Sequence, residues 1–337
     1  MAVDCTDATL PRVAVIMPIL NEGRHLRHAV GAVQAQDYRG PMEIVLALGP
    51  STDDTDVIAK ELADADPRIT TVQNPTGATP RGLNAAIAAS THEIVVRVDG
   101  HAILPPDYVR IAVEVLAETG ADNVGGVMAA EGVTPFEQAV ARAMRSRLGI
   151  GAARFHVGGE AGPADTVYLG VFRREMLHRV GGFDESLRRA QDWELNHRIR
   201  EAGGTVWFTP RIQVTYRPRP DLPSLAKQFF RTGQWRRGVI RRTPRTANAR
   251  YLAPPAAVLA VLGGTVLGLS GRRIGWLAPG GYLAAVLAGS LANRKGLGTG
   301  AAARLPVVLT TMHMAWGAGF LLSPKDLIPE PELNAPE

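Results

Sequence analysis

With 46% apolar and 20% charged side chains, a chain of 337 residues can bury a core for one or two domains, which excludes disordered, collagenous and low-complexity classes. Its net charge of +5 is unevenly placed: residues 1–216 hold 21 basic and 27 acidic side chains, 217–250 hold 10 and 1, and 251–337 hold 6 and 4. The single cysteine, Cys5, permits no internal disulfide, so no oxidising compartment is implied.

The N-terminal stretch MAVDCTDATLPR is acidic where a signal peptide is positively charged, and the first apolar run, Val13–Leu20, stops at Asn21-Glu22-Gly23. The front of the chain is therefore expected to stay in the cytoplasm. From Val13 to about Glu131, short apolar runs alternate with longer amphipathic ones, the rhythm of βαβ units. Strands are expected at Val13–Pro18, Glu43–Leu48, Ile69–Gln73, Glu93–Val98 and Asn123–Ala129. Helices are expected around Arg24–Gln34, Asp53–Ala65, Pro80–Ala89 and Pro106–Glu118, with Pro80 and Pro106 near first-turn positions. The fold class is α/β, a doubly wound and mostly parallel sheet. Ligands of such sheets bind outside the carboxyl ends of the strands, here residues 18–22, 48–54, 74–81 and 99–101.

Residues 148–164 are rich in Gly and Ala and read as a mobile loop, either a lid or a plain connector. A strand at Thr166–Arg173, a helix at Gln191–Ala202 and short strands at Thr205–Pro210 and Ile212–Tyr216 follow. Beyond them Leu252–Leu269, Gly275–Ala292 and Leu305–Leu322 are free of Asp, Glu, Lys and Arg. At 18 residues each, such runs span about 27 Å, close to a bilayer's hydrocarbon core. Three transmembrane helices, residues 251–323, are the simplest reading, and an acidic tail, 324–337, follows. The basic segment 217–250, with Leu225, Phe229, Phe230, Trp235 and Val239 among its arginines, suits a helix lying on anionic headgroups. Its place before a membrane span favours lipid over nucleic acid as its partner. The same basicity agrees, by the positive-inside rule, with an N-terminal domain on the cytoplasmic side. His313 alone is ionisable deep within a span, and packing is its expected role.

Chemistry-bearing residues gather at the strand ends. In EIVVRVDGHAILP, Asp99 and His101 flank Gly100 at a turn; they form either a pair able to reach a divalent cation such as Mn or Mg, or a turn-forming Asp beside an exposed His. Asp192, at the start of the helix in QDWELNHRIREAGG, is either a carboxylate held ionised to accept a proton or an N-cap. Gly181-Gly182 before Phe183 marks either a loop admitting an acceptor or a helix C-cap. Arg81 opens a helix after a Gly- and Pro-containing loop, where guanidinium and backbone N–H groups can hold phosphate oxygens. No Gly-x-Gly-x-x-Gly follows the first strand, and no P-loop or Gly-x-Ser-x-Gly elbow occurs, which removes support from dinucleotide redox, P-loop and serine-nucleophile chemistry.

Taken in order, VAVIMPILNEG, MEIVLALGPSTDDT, EIVVRVDGH, GGFDE and QDWELNHRIREAGG resemble the family 2 glycosyltransferases with a GT-A fold, over roughly residues 12–216. The continuation through LAKQFFRTGQWRRG resembles the subgroup that makes bacterial exopolysaccharides of the succinoglycan type. The resemblance implies a nucleotide-sugar donor bound by Pro18, Asn21, Glu22, Arg81 and Asp99, and a divalent cation, Mn or Mg, at Asp99 and His101. It further implies Asp192 as general base of an inverting transfer, and Gly182, Phe183 and Asp184 on the side of a glycan or polyprenyl-linked acceptor. Three departures stand out: Leu48-Gly49 replaces the acid that contacts the nucleobase in relatives, His101 replaces an Asp of the metal motif, and Gln191 replaces the first Glu of the Glu-Asp pair. Thr232 stands where processive synthases carry Trp, so processivity is not implied. A membrane-anchored sugar-nucleotide-binding scaffold without turnover is the competing reading.

Overall fold

The computed structural model describes residues 7, 9–151, 153–187 and 189–328. Two compact units divide it: Met1–Ala129 with Gly158–Tyr216, and Ala130–Val157 with Arg217–Glu337. The boundary expected at residue 216 is thus one of several, because Ala130–Val157 groups with the C-terminal part of the chain. Most of the expected acidic tail, residues 329–337, lies outside the described residues.

The first unit is built on an eight-stranded sheet. In chain order its leading elements are β1 (Val13–Ile19), α1 (Leu26–Gln34), β2 (Met42–Leu48), α2 (Thr55–Ala65), β3 (Ile69–Gln73), α3 (Thr79–Ala89), β4 (Ile94–Arg97), α4 (Tyr108–Thr119) and β5 (Asn123–Ala130). Every residue of β4 and β5 is buried, and β1 is buried but for a half-buried Pro18, as expected of strands covered on both faces. Helix α1 turns Leu26, Ala29, Val30 and Val33 inward at i, i+3, i+4, i+7 spacing. Helix α4 stops at Gly120, whose left-handed backbone closes the C-terminus.

The strand order is β3-β2-β1-β4-β7-β5-β8-β6, where β6 is Gly162–Pro163, β7 Tyr168–Arg173 and β8 Val206–Tyr216. Strands β3, β2, β1 and β4 pair in parallel, and β7 enters antiparallel between β4 and β5. The sheet is therefore mostly parallel but mixed. The two short strands expected at Thr205–Pro210 and Ile212–Tyr216 form one continuous strand, with Pro210 and Arg211 at an exposed point in it.

In the second unit α5 (Pro135–Met144) begins with a capping box between Thr134 and Glu137. The loop expected at 148–164 contains two one-turn helices, α6 (Arg147–Ile150) and α7 (Arg154–Val157). Leu148 Cδ2 lies where a side chain at Gly289 would stand, and Leu148 O accepts from His313 Nε2 at 2.7 Å, so α6 is docked within the unit. In the first unit α8 (Arg174–Val180) and α9 (Gln191–Glu201) follow β7. The chain ends with α10 (Leu222–Arg242), α11 (Ala253–Leu269), α12 (Leu277–Asn293) and α13 (Thr299–Leu321).

Helix α13 is the axis of the second unit and packs on α5, α10, α11 and α12. Helices α10 and α13 meet at backbone contact: a Cβ on Gly233 would stand 2.1 Å from Trp316 O, and one on Gly319 would stand 2.0 Å from Phe230 O. The apolar stripe of the basic segment, expected on headgroups, is engaged inside the protein, with Leu225, Phe229, Trp235 and Val239 buried. Two of its arginines serve α13: Arg237 donates to Phe320 O and Leu321 O at 3.0 Å, and Arg241 to Ser323 O at 3.0 Å. These guanidinium groups satisfy carbonyls that a helix end leaves without partners.

Among the described residues two helices, at Ala249–Leu269 and Arg273–Asn293, are long and apolar enough to cross a membrane, not the three expected. Leu259, Leu262, Val266 and Leu269 on α11, and Leu277, Leu283, Leu287 and Leu291 on α12, are exposed. The third run forms α13, where Leu305, Val308, Leu309 and Met312 are buried by the neighbouring helices. His313 packs as expected: Nε2 takes Leu148 O, and Nδ1 accepts from the Tyr282 hydroxyl at 3.1 Å.

Candidate active site

At the carboxyl ends of β1 and β2 two loops are stitched together. Asn21 adopts a left-handed backbone (φ 54°); its N–H donates to Ser51 Oγ at 3.1 Å and its Oδ1 accepts from Thr52 N–H at 2.8 Å. The Glu22 N–H donates to Thr55 Oγ1 at 2.8 Å, and the Gly23 N–H to Asp53 Oδ2 at 3.1 Å. The Thr55 hydroxyl and the Gly23 and Thr55 amides hold the Asp53 carboxyl below its ordinary range. Pro18 precedes this loop in β1 and is half-buried. Pro18, Asn21 and Glu22 thus share one wall at the sheet's carboxyl edge.

Glu22 also reaches the neighbouring strand end, where its Oε1 lies 2.7 Å from His101 Nδ1. A carboxylate there requires Nδ1 to carry the proton. His101 is more than half exposed and Glu22 mostly buried, so the pair borders open space. The turn reading of Asp99 also holds, since its carbonyl accepts from Ala102 N–H at 2.9 Å.

The centre of the site is a residue that the motif reading passed over. Arg97, the last residue of β4, has a side chain only 5% exposed. Its Nη2 and Nε donate to Asp99 Oδ1 at 3.0 and 3.3 Å, and its Nη1 pairs with Asp192 Oδ1. Asp192 lies in the first turn of α9, whose N-cap is Ala190 in a left-handed conformation, so the carboxylate is not a cap and points to Arg97 instead. Seating α9 on the sheet is a buried amide chain: Asn123 Nδ2 donates to Asn196 Oδ1 at 2.6 Å, and Asn196 Nδ2 to Thr166 Oγ1 at 2.9 Å. The phenols of Tyr108 and Tyr168 feel the charges of this cluster. Burial pushes both above their ordinary range, the negative charge of Asp99 adding to the effect at Tyr168 and Arg97 opposing it, so both stay neutral. A buried charge must be paired, and an Arg inside an otherwise apolar strand was the readable signal for this cluster.

The expected acceptor loop joins α3 instead of standing alone. Asn84 Nδ2 donates to Phe183 O at 2.8 Å and Asn84 Oδ1 accepts from Phe183 N–H at 2.9 Å, while Arg81 Nε pairs with Glu185 Oε2 at 3.2 Å. Gly181 takes the C-cap role, closing α8 with φ 77°. The Phe183 ring is buried edge-on against Phe172, centroids 6.1 Å apart, so it anchors the loop from below. Asp184 closes a turn by accepting from Ser186 N–H at 2.9 Å. Arg81 and the residues 182–184 are thus joined through Glu185 and Asn84, pairings no sequence motif announced.

Among the described residues no three His, Cys, Asp or Glu side chains gather as a metal cage. Asp99 and His101, a carboxylate and an imidazole two residues apart, are of the donor types that a divalent cation takes.

The model of the family described as Glycosyl transferase family 2 matches residues 14–181. The succinoglycan biosynthesis protein ExoA of Rhizobium meliloti (strain 1021) is 32% identical over 315 residues, 91% of this chain and 93% of that protein. Glycosyltransferase AglE of Haloferax volcanii is 26% identical over 233 residues, 66% of this chain and 72% of that one. Among solved structures, the mannosyltransferase PcManGT of Pyrobaculum calidifontis, in complex with GDP-Man and Mn2+, superposes with a TM-score of 0.59 at 25% identity, covering 94% of this chain and 88% of that chain. The mixed sheet is thus of the GT-A kind.

Proposed function

This chain belongs to glycosyl transferase family 2 and is a glycosyltransferase, and we propose that it is a membrane-held, inverting and metal-dependent one, of cell-surface polysaccharide or glycolipid synthesis. Its donor is a nucleotide sugar and its acceptor a glycan or a polyprenyl-linked saccharide. The observation that carries this reading is the convergence of Asp99 and Asp192, from different elements, on one buried guanidinium at the carboxyl edge of the sheet.

In the proposed reaction the donor lies along Pro18, Asn21, Glu22 and Arg81, with its diphosphate toward Asp99. The acceptor enters over Gly182 and Asp184. Its hydroxyl oxygen forms a bond to the anomeric carbon while the bond from that carbon to the diphosphate oxygen breaks, and the nucleoside diphosphate leaves with the electron pair. Asp192 takes the hydroxyl proton, and because the oxygen attacks the face opposite the departing diphosphate in one displacement, the configuration inverts. A divalent cation, Mn or Mg, held by Asp99 and His101, would neutralise charge on the leaving group. Glu22 orients the His101 ring by holding Nδ1–H.

Membrane attachment rests on α11 and α12, whose large apolar side chains face outward. If they cross the bilayer as a pair, Arg272 and Arg273 fall on one side, and the ten basic residues of 217–250 fall on the other with Arg294, Lys295 and Arg304, which puts the catalytic unit in the cytoplasm.

The test is release of nucleoside diphosphate by membranes carrying the full-length wild type or Asp192→Asn, with Mn, Mg or a chelator. The donor panel includes GDP-mannose, chosen because PcManGT was solved with GDP-Man, and UDP-glucose. Metal-dependent release from one donor, lowered about 10²- to 10⁴-fold in Asp192→Asn, is expected. Nucleotide binding without release from any donor, with membrane extract as acceptor, would overturn the reading in favour of a non-catalytic scaffold.

A further inference from the structure

We infer that Arg97 is the positioning residue of the transfer, a single buried guanidinium that holds the donor-side carboxylate of Asp99 and the base Asp192 as one assembly. The inference rests on the transfer reading above and adds to it a residue on which neither motif depends. Arg97 ends β4, so the sheet fixes its backbone; its side chain is 5% exposed, so packing fixes its rotamer. Its contacts use two edges of the planar fork: Nε and Nη2 take Asp99, and Nη1 takes Asp192 from α9. Only arginine offers two separately directed edges on one charge, whereas a lysine ammonium is a single point.

The contacts fall on Oδ1 of each carboxylate, which leaves Oδ2 of each to meet ligand. In the transfer the second oxygen of Asp99 would serve the diphosphate side and that of Asp192 the acceptor hydroxyl, the two carboxylates being bridged by one guanidinium. Without the cation between them, two carboxylates in this partly buried space would repel and turn apart. The separation between donor-holding and proton-accepting groups is therefore a property of Arg97.

The experiment is a double-mutant cycle on the full-length protein in membranes. It uses Arg97→Lys, Asp192→Asn and their combination, with GDP-mannose and UDP-glucose as donors. Binding of GDP and UDP to the purified protein is measured alongside by calorimetry. Arg97→Lys is expected to lower kcat about 100-fold, the cost of a misplaced catalytic group, while weakening nucleotide binding far less. In the Asp192→Asn background the same change is expected to cost about 10-fold in kcat, because one of the two carboxylates it positions has already been lost and Asp99 alone still depends on it. Arg97→Gln, which keeps an N–H donor at the strand end, is carried through the same cycle, so the result stands if the lysine variant does not fold. A near wild-type kcat in a folded Arg97 variant, or costs that multiply in the double mutant, would overturn the inference. Absence of turnover in the wild type is a different outcome: it sinks the transfer reading, and the Asp99 half of the inference is then read from nucleotide binding alone, where unchanged affinity in Arg97→Lys overturns it.

Discussion

Asp192 shows how far a single residue can be read in isolation. An acid near the start of a helix is most simply an N-cap, yet Ala190 occupies that place and Asp192 turns to Arg97. Asp99 and His101 were legible because Asp-Gly-His interrupts an apolar strand, whereas Arg97, two residues earlier in the same string, gained its meaning only when α9 arrived beside it. Asp66 provides a residue-scale prediction. Hydrogen bonds from Arg68 and Gln34 hold its carboxyl well below the usual range, and its side chain is 12% exposed. A group whose pKa is depressed on folding contributes stability that is complete above its unfolded value of about 4 and is lost as pH falls through the folded one. Asp66→Asn is therefore expected to cost about 1 kcal/mol at pH 7, with the deficit shrinking below about pH 4, as followed by thermal unfolding across that range.

At the scale of elements, the expected bounds of β1 to β5 agree with the structure within a residue or two; β1, β2 and β4 are nearly unbroken apolar runs, as buried parallel strands are, while the edge strand β3 shows itself by its β-branched residues. Helix α5 went unread although its Thr134–Glu137 capping box was in the sequence, since its apolar face is made largely of alanines. The basic segment was legible as a helix but not in its contacts. An amphipathic stripe looks the same whether lipid or another helix covers it, and here α13 does. The reciprocal contacts of Gly233 and Gly319 set the approach of that pair. Gly319→Val is expected to destabilise the full-length protein by about 1–3 kcal/mol, seen as a lower melting temperature in detergent, because a Cβ there collides with the Phe230 carbonyl. Should the melting temperature stay unchanged, close approach would not be what holds the two helices.

For the whole molecule, composition along the chain separated an acidic, enzyme-like front from an apolar rear, but not the number of membrane helices. Three uncharged runs look alike in sequence; the structure leaves α11 and α12 with exposed leucines and surrounds α13 with other helices. Placing Arg at Leu262, near the middle of α11, is expected to disfavour insertion by about 3 kcal/mol and to reduce the carbonate-resistant fraction of the full-length protein. Ser270→Arg, at the end of the same helix, should leave that fraction unchanged, because a long cationic side chain there reaches the interface. Equal retention of both variants would count against a bilayer around α11.

The sequence by itself determined the fold class, the order of β1 to β5 with the helices between them, and the placing of Pro18, Asn21, Glu22 and Asp99 at strand ends and of Arg81 and Asp192 in the first turns of helices, because apolar periodicity and turn chemistry are local properties that chain neighbours express. Tertiary structure alone decided that β7 inserts antiparallel between β4 and β5, that Ala130–Val157 packs with the C-terminal helices, and that Asp99 and Asp192 share Arg97. Those are pairings between distant segments. A charge or an apolar face states that it needs a partner, and only packing selects which one.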